Sequence, residues 1–322
     1  MKNKKHKWGK LLLEIIVLAA LFTLVQYLIT AGLMNRYYQI NLTMMGINII
    51  LAVSLNLING FTGQLSLGHA GFMAVGAFSS VIITTLQGYP FFFGIIVAML
   101  AAALAGFIIG VPTLRLKGDY LAIATLGFGE IIRVVLQNID YIGGPAGISG
   151  ITKMTSWPIL FISIVVTVAV IVNMINSSYG RAIVAVREDE IAAEIMGVNT
   201  TKYKVLAFVV GAAFAGLAGA LYAHYFYIIK PETFNFLKSF DILVMVVLGG
   251  LGSTTGAVLA AIFITFLNAF LQEYAAVRMI IYASILIIVM IYRPKGLLGN
   301  REFTYKILNK VWSGRHVSFT NK

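Results

Sequence analysis

The chain has 322 residues, 59% hydrophobic and only 11% charged, against roughly 25% charged in soluble domains; with a mean hydropathy of +0.90, it lacks the polar residues that clothe a water-soluble surface. Cysteine is absent and the four histidines, His6, His69, His224 and His316, lie far apart. Disulfides, thiolate metal sites and a cysteine nucleophile are therefore excluded, and no ligand cluster is visible. A net charge of +12 would suggest nucleic acid in a soluble protein. Here the basic residues sit mainly between and beyond apolar runs, so the charge is read as topology and no nucleic-acid partner is expected.

Apolar runs of about 20 residues recur from end to end, long enough to cross roughly 30 Å of hydrocarbon. In lipid the backbone must satisfy itself, so each run reads as a helix. The predicted spans are 11–33, 37–59, 66–87, 91–113, 119–139, 158–176, 205–229, an interrupted 239–272, and 279–293. The fold class is all-α: a polytopic transmembrane helical bundle of about 8–10 spans, with one interrupted or re-entrant segment. The run from Leu11 lacks a small-residue cleavage site and is taken as a first span rather than a signal peptide. All six prolines (Pro90, Pro112, Pro145, Pro158, Pro231, Pro294) fall at or beyond span ends, where a missing N–H is harmless. Aromatics such as Tyr37, Tyr38, Tyr89, Tyr120, Trp157 and Tyr292 fall where an interfacial belt wants them.

With the amino terminus inside, eighteen of the 24 Lys and Arg residues lie on the inner side. The positive-inside rule then places both termini in the cytoplasm. This divides the chain into a basic cytoplasmic amino terminus, 1–10, a membrane domain, 11–293, with an inner loop at 177–204, and a cytoplasmic tail, 294–322. Within 239–272, Asp241–Leu248 and Ala257–Phe270 form either two spans meeting inside or a re-entrant hairpin from outside; both return the chain to one face.

The longest inner loop carries Gly180-Arg-Ala-Ile-Val-Ala-Val-Arg187-Glu188-Asp189-Glu190-Ile-Ala-Ala193-Glu-Ile-Met-Gly197. Its acidic cluster suits the start of a short helix, Ile191 and Ile195 share a face four residues apart, and Gly197 supplies a stop. Such a helix is either an ordinary solvated loop helix or a grip for a peripheral protein.

The residues Glu190–Gly197 resemble the EAA-type loop of ABC importer permeases, without the proline of the general pattern after Gly197. The wording from Gly180 to Asn199 is similar to the branched-chain amino-acid permeases. Asn59-Gly-Phe-Thr-Gly63-Gln64-Leu-Ser66-Leu-Gly68-His69-Ala-Gly71 resembles that family's GQ-SLGHA signature, and Leu114–Arg133 resembles the LivM-type member of a permease pair. Gly143–Ile148, Val247–Ser253 and Arg293–Leu297 fit in the same order. The resemblance covers roughly residues 40–299. It implies a permease of an ATP-driven importer that moves leucine, isoleucine and valine, with relatives that carry urea, short amides or other amino acids. It also implies partners: a related second permease subunit, two cytoplasmic ATPase subunits that hold ATP and Mg, and an extracytoplasmic binding protein, all at a bacterial cytoplasmic membrane. The loop Arg187, Glu188, Asp189, Glu190, Ala193 and Gly197 would carry ATPase movement into the membrane. The sequence has no G-x-x-x-x-G-K-[ST] phosphate cradle, so no cofactor and no ATP hydrolysis are expected on this chain.

Glycine-rich breaks at Gly60–Gly71 and Gly249–Gly256 interrupt apolar runs. Such paired interruptions mark a substrate path in some transporters; otherwise they are packing contacts and turns. Gly63, Gln64, Ser66, Gly68, His69, Glu130, His224 and Asp241 are candidates for the path or its gate, since ionisable groups inside a membrane are functional by default. Internal pairing is the competing reading for Glu130 with Arg133, and a helix-packing hydrogen bond for His69. Two other classes compete. A Ser66–His69 pair would suit an intramembrane hydrolase if the two met, and Glu130, His224 and Asp241 could form the ion relay of a stand-alone secondary transporter or channel.

Overall fold

A computed structural model describes residues 2–116 and 118–271, with side chains from Ile16 onward, and single helical positions at 281, 284, 287, 291 and 292. The predicted span 279–293 and the tail from 294 otherwise lie outside the described residues. Eleven α-helices are described: α1 (Lys2–Thr30), α2 (Arg36–Asn56), α3 (His69–Val81), α4 (Phe91–Thr113), α5 (Asp119–Gln137), α6 (Trp157–Asn176), α7 (Ser178–Glu188), α8 (Glu190–Ile195), α9 (Thr200–Ala223), α10 (Phe236–Gly249) and α11 (Thr254–Phe270). π-Turns at Leu57–Phe61 and Ile82–Leu86 extend α2 and α3. Five of these segments are long and apolar enough to cross a membrane: Arg36–Phe61, His69–Leu86, Phe91–Thr113, Trp157–Asn176 and Thr200–Ala223. The polytopic helical bundle expected from composition is what forms, and the chain is a multi-pass membrane protein.

Helix ends follow local chemistry. Asn35, Ser177, Asp189, Asn199, Asn235 and Ser253 each accept a hydrogen bond from a first-turn amide of the helix they precede, satisfying a donor that the helix itself cannot. Pro90 precedes α4 and Pro158 sits in the first turn of α6. Pro112 lies in the last turn of α4, where its missing N–H removes a single rung close to the helix end.

The centre is α2, buried without interruption from Gly46 to Phe61. Beside it, α3, α4 and α9 meet at backbone distance. A Cβ on Gly76 of α3 would lie 2.3 Å from Gly216 Cα of α9, and one on Gly219 would lie 2.0 Å from the Met73 carbonyl oxygen. A membrane gives no hydrophobic drive between helices, so such close approach is how they gain dispersion contacts. At one end of the bundle, Ile148–Ser149 pairs antiparallel with Ile228–Ile229.

Two helices start inside the bundle. After Phe61 the chain runs without helical structure through Ser66, and α3 begins beside Ser54, whose hydroxyl lies 2.9 Å from His69 Nε2. Ser54 is about 10 Å back along α2 from Phe61 at 1.5 Å per residue. The irregular stretch is tolerated because protein groups replace water. Asn59 receives the Ser66 N–H at 3.1 Å and donates to the Ser66 carbonyl at 3.2 Å, while Thr125 Oγ1 takes the Leu67 N–H at 3.0 Å.

The interrupted segment is an unequal hairpin. With 14 residues, α10 rises only about 21 Å, and it starts beside α5. After a turn at Gly250–Ser253, α11 runs back along α2: Ser253 bonds Asn56, Thr265 bonds Asn48, and the Ala269 carbonyl accepts from the Tyr37 hydroxyl. The turn lies on the same face as α7 and α8, because Arg187 at the end of α7 donates to Gly60 and its guanidinium crowds Gly252.

Candidate functional site

Where α3 and α10 begin, polar groups from five helices meet at mid-bundle. The Ala70 N–H in the first turn of α3 donates to Ser239 Oγ of α10 at 3.0 Å. The Phe236 N–H at the start of α10 donates to Glu130 Oε1 of α5 at 3.0 Å, and Glu130 Oε2 accepts from Arg133 Nε at 2.7 Å. On the far side of α10, Lys238 Nζ donates to Asn48 Oδ1 at 3.2 Å, and Asn48 Nδ2 donates to Thr265 Oγ1 at 2.9 Å. Asp241 stands one turn further along α10. This belt exists because a helix that starts in the bilayer leaves its first N–H groups without intrahelical partners. Side chains must supply those partners where lipid cannot.

A second cluster lies at the α7–α8 face. Asp189 separates the two helices and accepts from the Ile191 and Ala192 N–H groups at 3.0 Å each. The other end of α8 is closed by Gly197 at φ +83°, with Val198 N–H bonded to the Ala193 carbonyl and Gly197 N–H to that of Glu194, the paired pattern of a Schellman stop. Ala193 is buried against the body, while Ile191, Ile195 and Met196 are 67%, 79% and 82% exposed. Lys204 of α9 pairs with Glu190 and ties α8 back to a long helix.

Arg187 joins this face to both glycine breaks. Its Nη1 donates to the Gly60 carbonyl at 2.8 Å, its methylenes fill the space over Gly63, and Nη1 would lie 2.7 Å from a Cβ on Gly252. Asn56 locks the same breaks together from inside, with Nδ2 on the Ser253 carbonyl and Oδ1 on the Gly252 N–H, both at 2.9 Å. A Cβ on Gly60 would sit 2.3 Å from the Gly252 nitrogen, so only glycine fits there. Between the loop and the body lies a cavity of about 240 Å³, lined by Gly63, Gln64, Arg187, Glu190 and Lys204 among others. A family model described as branched-chain amino acid transport system / permease component matches residues 37–292.

The chain belongs to this permease family. It is 36% identical over 310 residues to the high-affinity branched-chain amino acid transport system permease protein LivM of Escherichia coli strain K12, covering 85% of this chain and 73% of that protein. A probable LivM permease of Methanocaldococcus jannaschii is 26% identical over 238 residues, 64% of this chain and 69% of that one. The LivH permease of Escherichia coli strain K12 is 30% identical over 158 residues, 48% of this chain and 50% of that one.

Within the permease, the residues singled out from sequence separate into three groups. Arg187, Glu188, Asp189, Glu190, Ala193 and Gly197 fall together on α7–α8 and its cap, with Gly63 and Gln64 beside them. Ser66, Gly68 and His69 form the climb into α3, beside Thr125 and Gly129; Glu130 and Asp241 belong to the mid-bundle belt. His224 stands apart, fully buried among α3, α4 and α9, with Nδ1 on the Ala220 carbonyl at 2.9 Å, Nε2 at 2.7 Å from Thr84 Oγ1, and the Phe91 ring 4.6 Å away.

Ser66 and His69 are not a nucleophile–base pair here. His69 Nε2 lies 2.9 Å from the Ser54 hydroxyl instead, and neither Ser66 Oγ nor His69 Nδ1 has a hydrogen-bond partner among the described residues. Sequence reasoning passed over Asn48, Asn56, Asn59, Thr125 and Ser239, and counted Lys238 only toward topology. The available signal was the set of four asparagines, Asn41, Asn48, Asn56 and Asn59, inside one apolar span.

Proposed function

We propose that this chain is a membrane subunit of an ATP-driven importer that moves branched-chain amino acids inward, taking them from an extracytoplasmic binding protein. In this reading a second, related permease subunit completes the path, and two ATPase subunits dock on the α8 face, which lies in the cytoplasm with both termini. ATP and Mg reside on those subunits and none on this chain. The observation that carries the proposal is the junction at Arg187. The short helix α8, with its exposed apolar edge, follows directly on α7, whose Arg187 is anchored at the two glycine breaks where α2 ends and α10 turns into α11. A push on α8 is thereby applied to the interrupted helices as a rigid-body displacement.

The path itself is the mid-bundle belt, where helices broken inside the bilayer bring backbone N–H groups and charged side chains to the middle of the membrane. Leucine, isoleucine and valine are the proposed cargo, with specificity resting mainly on the binding protein. A hydrophobic surface on this chain would distinguish side chains differing by one methylene by only about 1–3 kcal/mol.

Reconstitution in proteoliposomes tests the proposal. Leucine uptake should require this chain, its permease partner, the ATPase subunits, ATP and loaded binding protein together. Uptake by this chain alone under an ion gradient would replace the proposal with a secondary transporter. A binding protein that is stabilised by urea or short amides and not by leucine would replace the cargo.

A further inference from the structure

We propose that Glu130, Arg133 and the exposed rings of Phe236 and Phe240 form this chain's half of a passing site for a zwitterionic amino acid, an inference that rests on the permease reading above. Glu130 lies eleven residues into α5, about 16 Å along its axis and so near the middle of a bilayer of about 30 Å. Its side chain is 31% exposed and that of Arg133 is 25% exposed. A charged pair left this open at that depth does not face hydrocarbon, because removing ions from water into lipid costs several kcal/mol each. The face must line a polar path.

The pair is also incompletely used. Arg133 spends its Nε on Glu130, while its two terminal nitrogens bond nothing among the described residues. Those nitrogens form a fork suited to a carboxylate. Glu130 accepts one bond on each oxygen, from Arg133 and from the Phe236 N–H, and its remaining lone pairs suit an ammonium. A free α-amino acid carries both groups on one carbon. Directly beside the pair, Phe236 and Phe240 are 39% and 42% exposed, with ring centroids 6.1 Å apart, an apolar patch against which an aliphatic side chain can lie. The charged pair recognises the headgroup common to all amino acids, and the rings accept an apolar side chain without reading its shape.

The test uses the reconstituted complex with saturating loaded binding protein, measuring leucine flux and ATP hydrolysis together. The paired variant E130Q/R133Q removes both charges and the terminal fork but keeps a mutual side-chain hydrogen bond in place of the Arg133 Nε contact, so a merely structural pair tolerates it. On the proposal, flux falls about tenfold or more through loss of charge-assisted contacts to the headgroup, while stimulated ATP hydrolysis stays within about twofold. R133K, which keeps the charge but not the fork, should show the same split and serves if the double variant does not assemble. Unchanged flux, or flux and hydrolysis falling in parallel, overturns the site. Absence of leucine uptake by the wild-type complex would instead overturn the permease reading beneath it.

Discussion

Replacing Arg187 with alanine should break the transmission of force from α8 into the membrane. The guanidinium reaches into the body at the Gly60 carbonyl, 2.8 Å away, and meets Glu188 at 2.9 Å. The Glu188 side chain is 67% exposed, so that ion pair contributes little. A hydrogen bond from a charged donor is worth about 1.5–3 kcal/mol. Taking about 2 kcal/mol, the population in which α7 is fixed to the Gly60 carbonyl falls roughly thirtyfold, at about 1.4 kcal/mol per tenfold. Loss of the methylenes over Gly63 adds to this. The assay is leucine imported per ATP hydrolysed in proteoliposomes, with the amount of assembled complex as control. The ratio should drop about tenfold or more in R187A and by less in R187K, which keeps the charge and most of the stem. A ratio in R187A within twofold of wild type would refute the reasoning, because the junction would then carry no load.

Four further outcomes follow from the same geometry. N56A leaves the half-buried Gly252 N–H and the buried Ser253 carbonyl without their side-chain partner, at up to about 1–3 kcal/mol for each; thermal unfolding of the purified protein should begin several degrees lower, and an unchanged midpoint counts against the lock. G76V should yield no folded protein in detergent, since its Cβ would lie 2.3 Å from Gly216 Cα, whereas G88A, at φ +76° with nothing within 4 Å, should cost only about 1–2 kcal/mol of backbone strain. I195D alters a side chain that is 79% exposed; the protein should insert normally but lose its ATPase subunits on size-exclusion chromatography. Because the chain contains no cysteine, S178C and S149C can be labelled singly in oriented membranes. The expected result is Ser178→Cys reacting from the cytoplasm and Ser149→Cys from outside; Ser149→Cys reacting only from the cytoplasm reverses the orientation.

The sequence alone determined what local chemistry controls. Apolar length set the helices, and the predicted span 91–113 coincides with α4 while 158–176 differs from α6 by a single residue. The ordered motifs from Asn59 to Leu297 marked the family, and the acidic run at Glu188–Glu190 together with Gly197 marked α8. One local detail differed: Asp189 breaks the acidic run into the end of α7 and the cap of α8, because its carboxylate bonds the amides that follow. Hydropathy could not reveal that α3 and α10 start inside the bundle. A window average registers how much apolar surface a segment carries, and is blind to the depth at which its helix begins.

That depth was decided by partners far away in the chain. Asn48 meets Thr265 across 217 positions, Asn56 meets Ser253 across 197, and Phe236 meets Glu130 across 106. Each of these polar groups is costly in lipid unless paired, and only the packed helices bring the pairs together. Likewise, Glu130 and Arg133 were recognisable as an i, i+3 pair from their spacing alone. Only the tertiary structure set the start of α10 against Glu130 and left the fork of Arg133 open beside two phenylalanine rings.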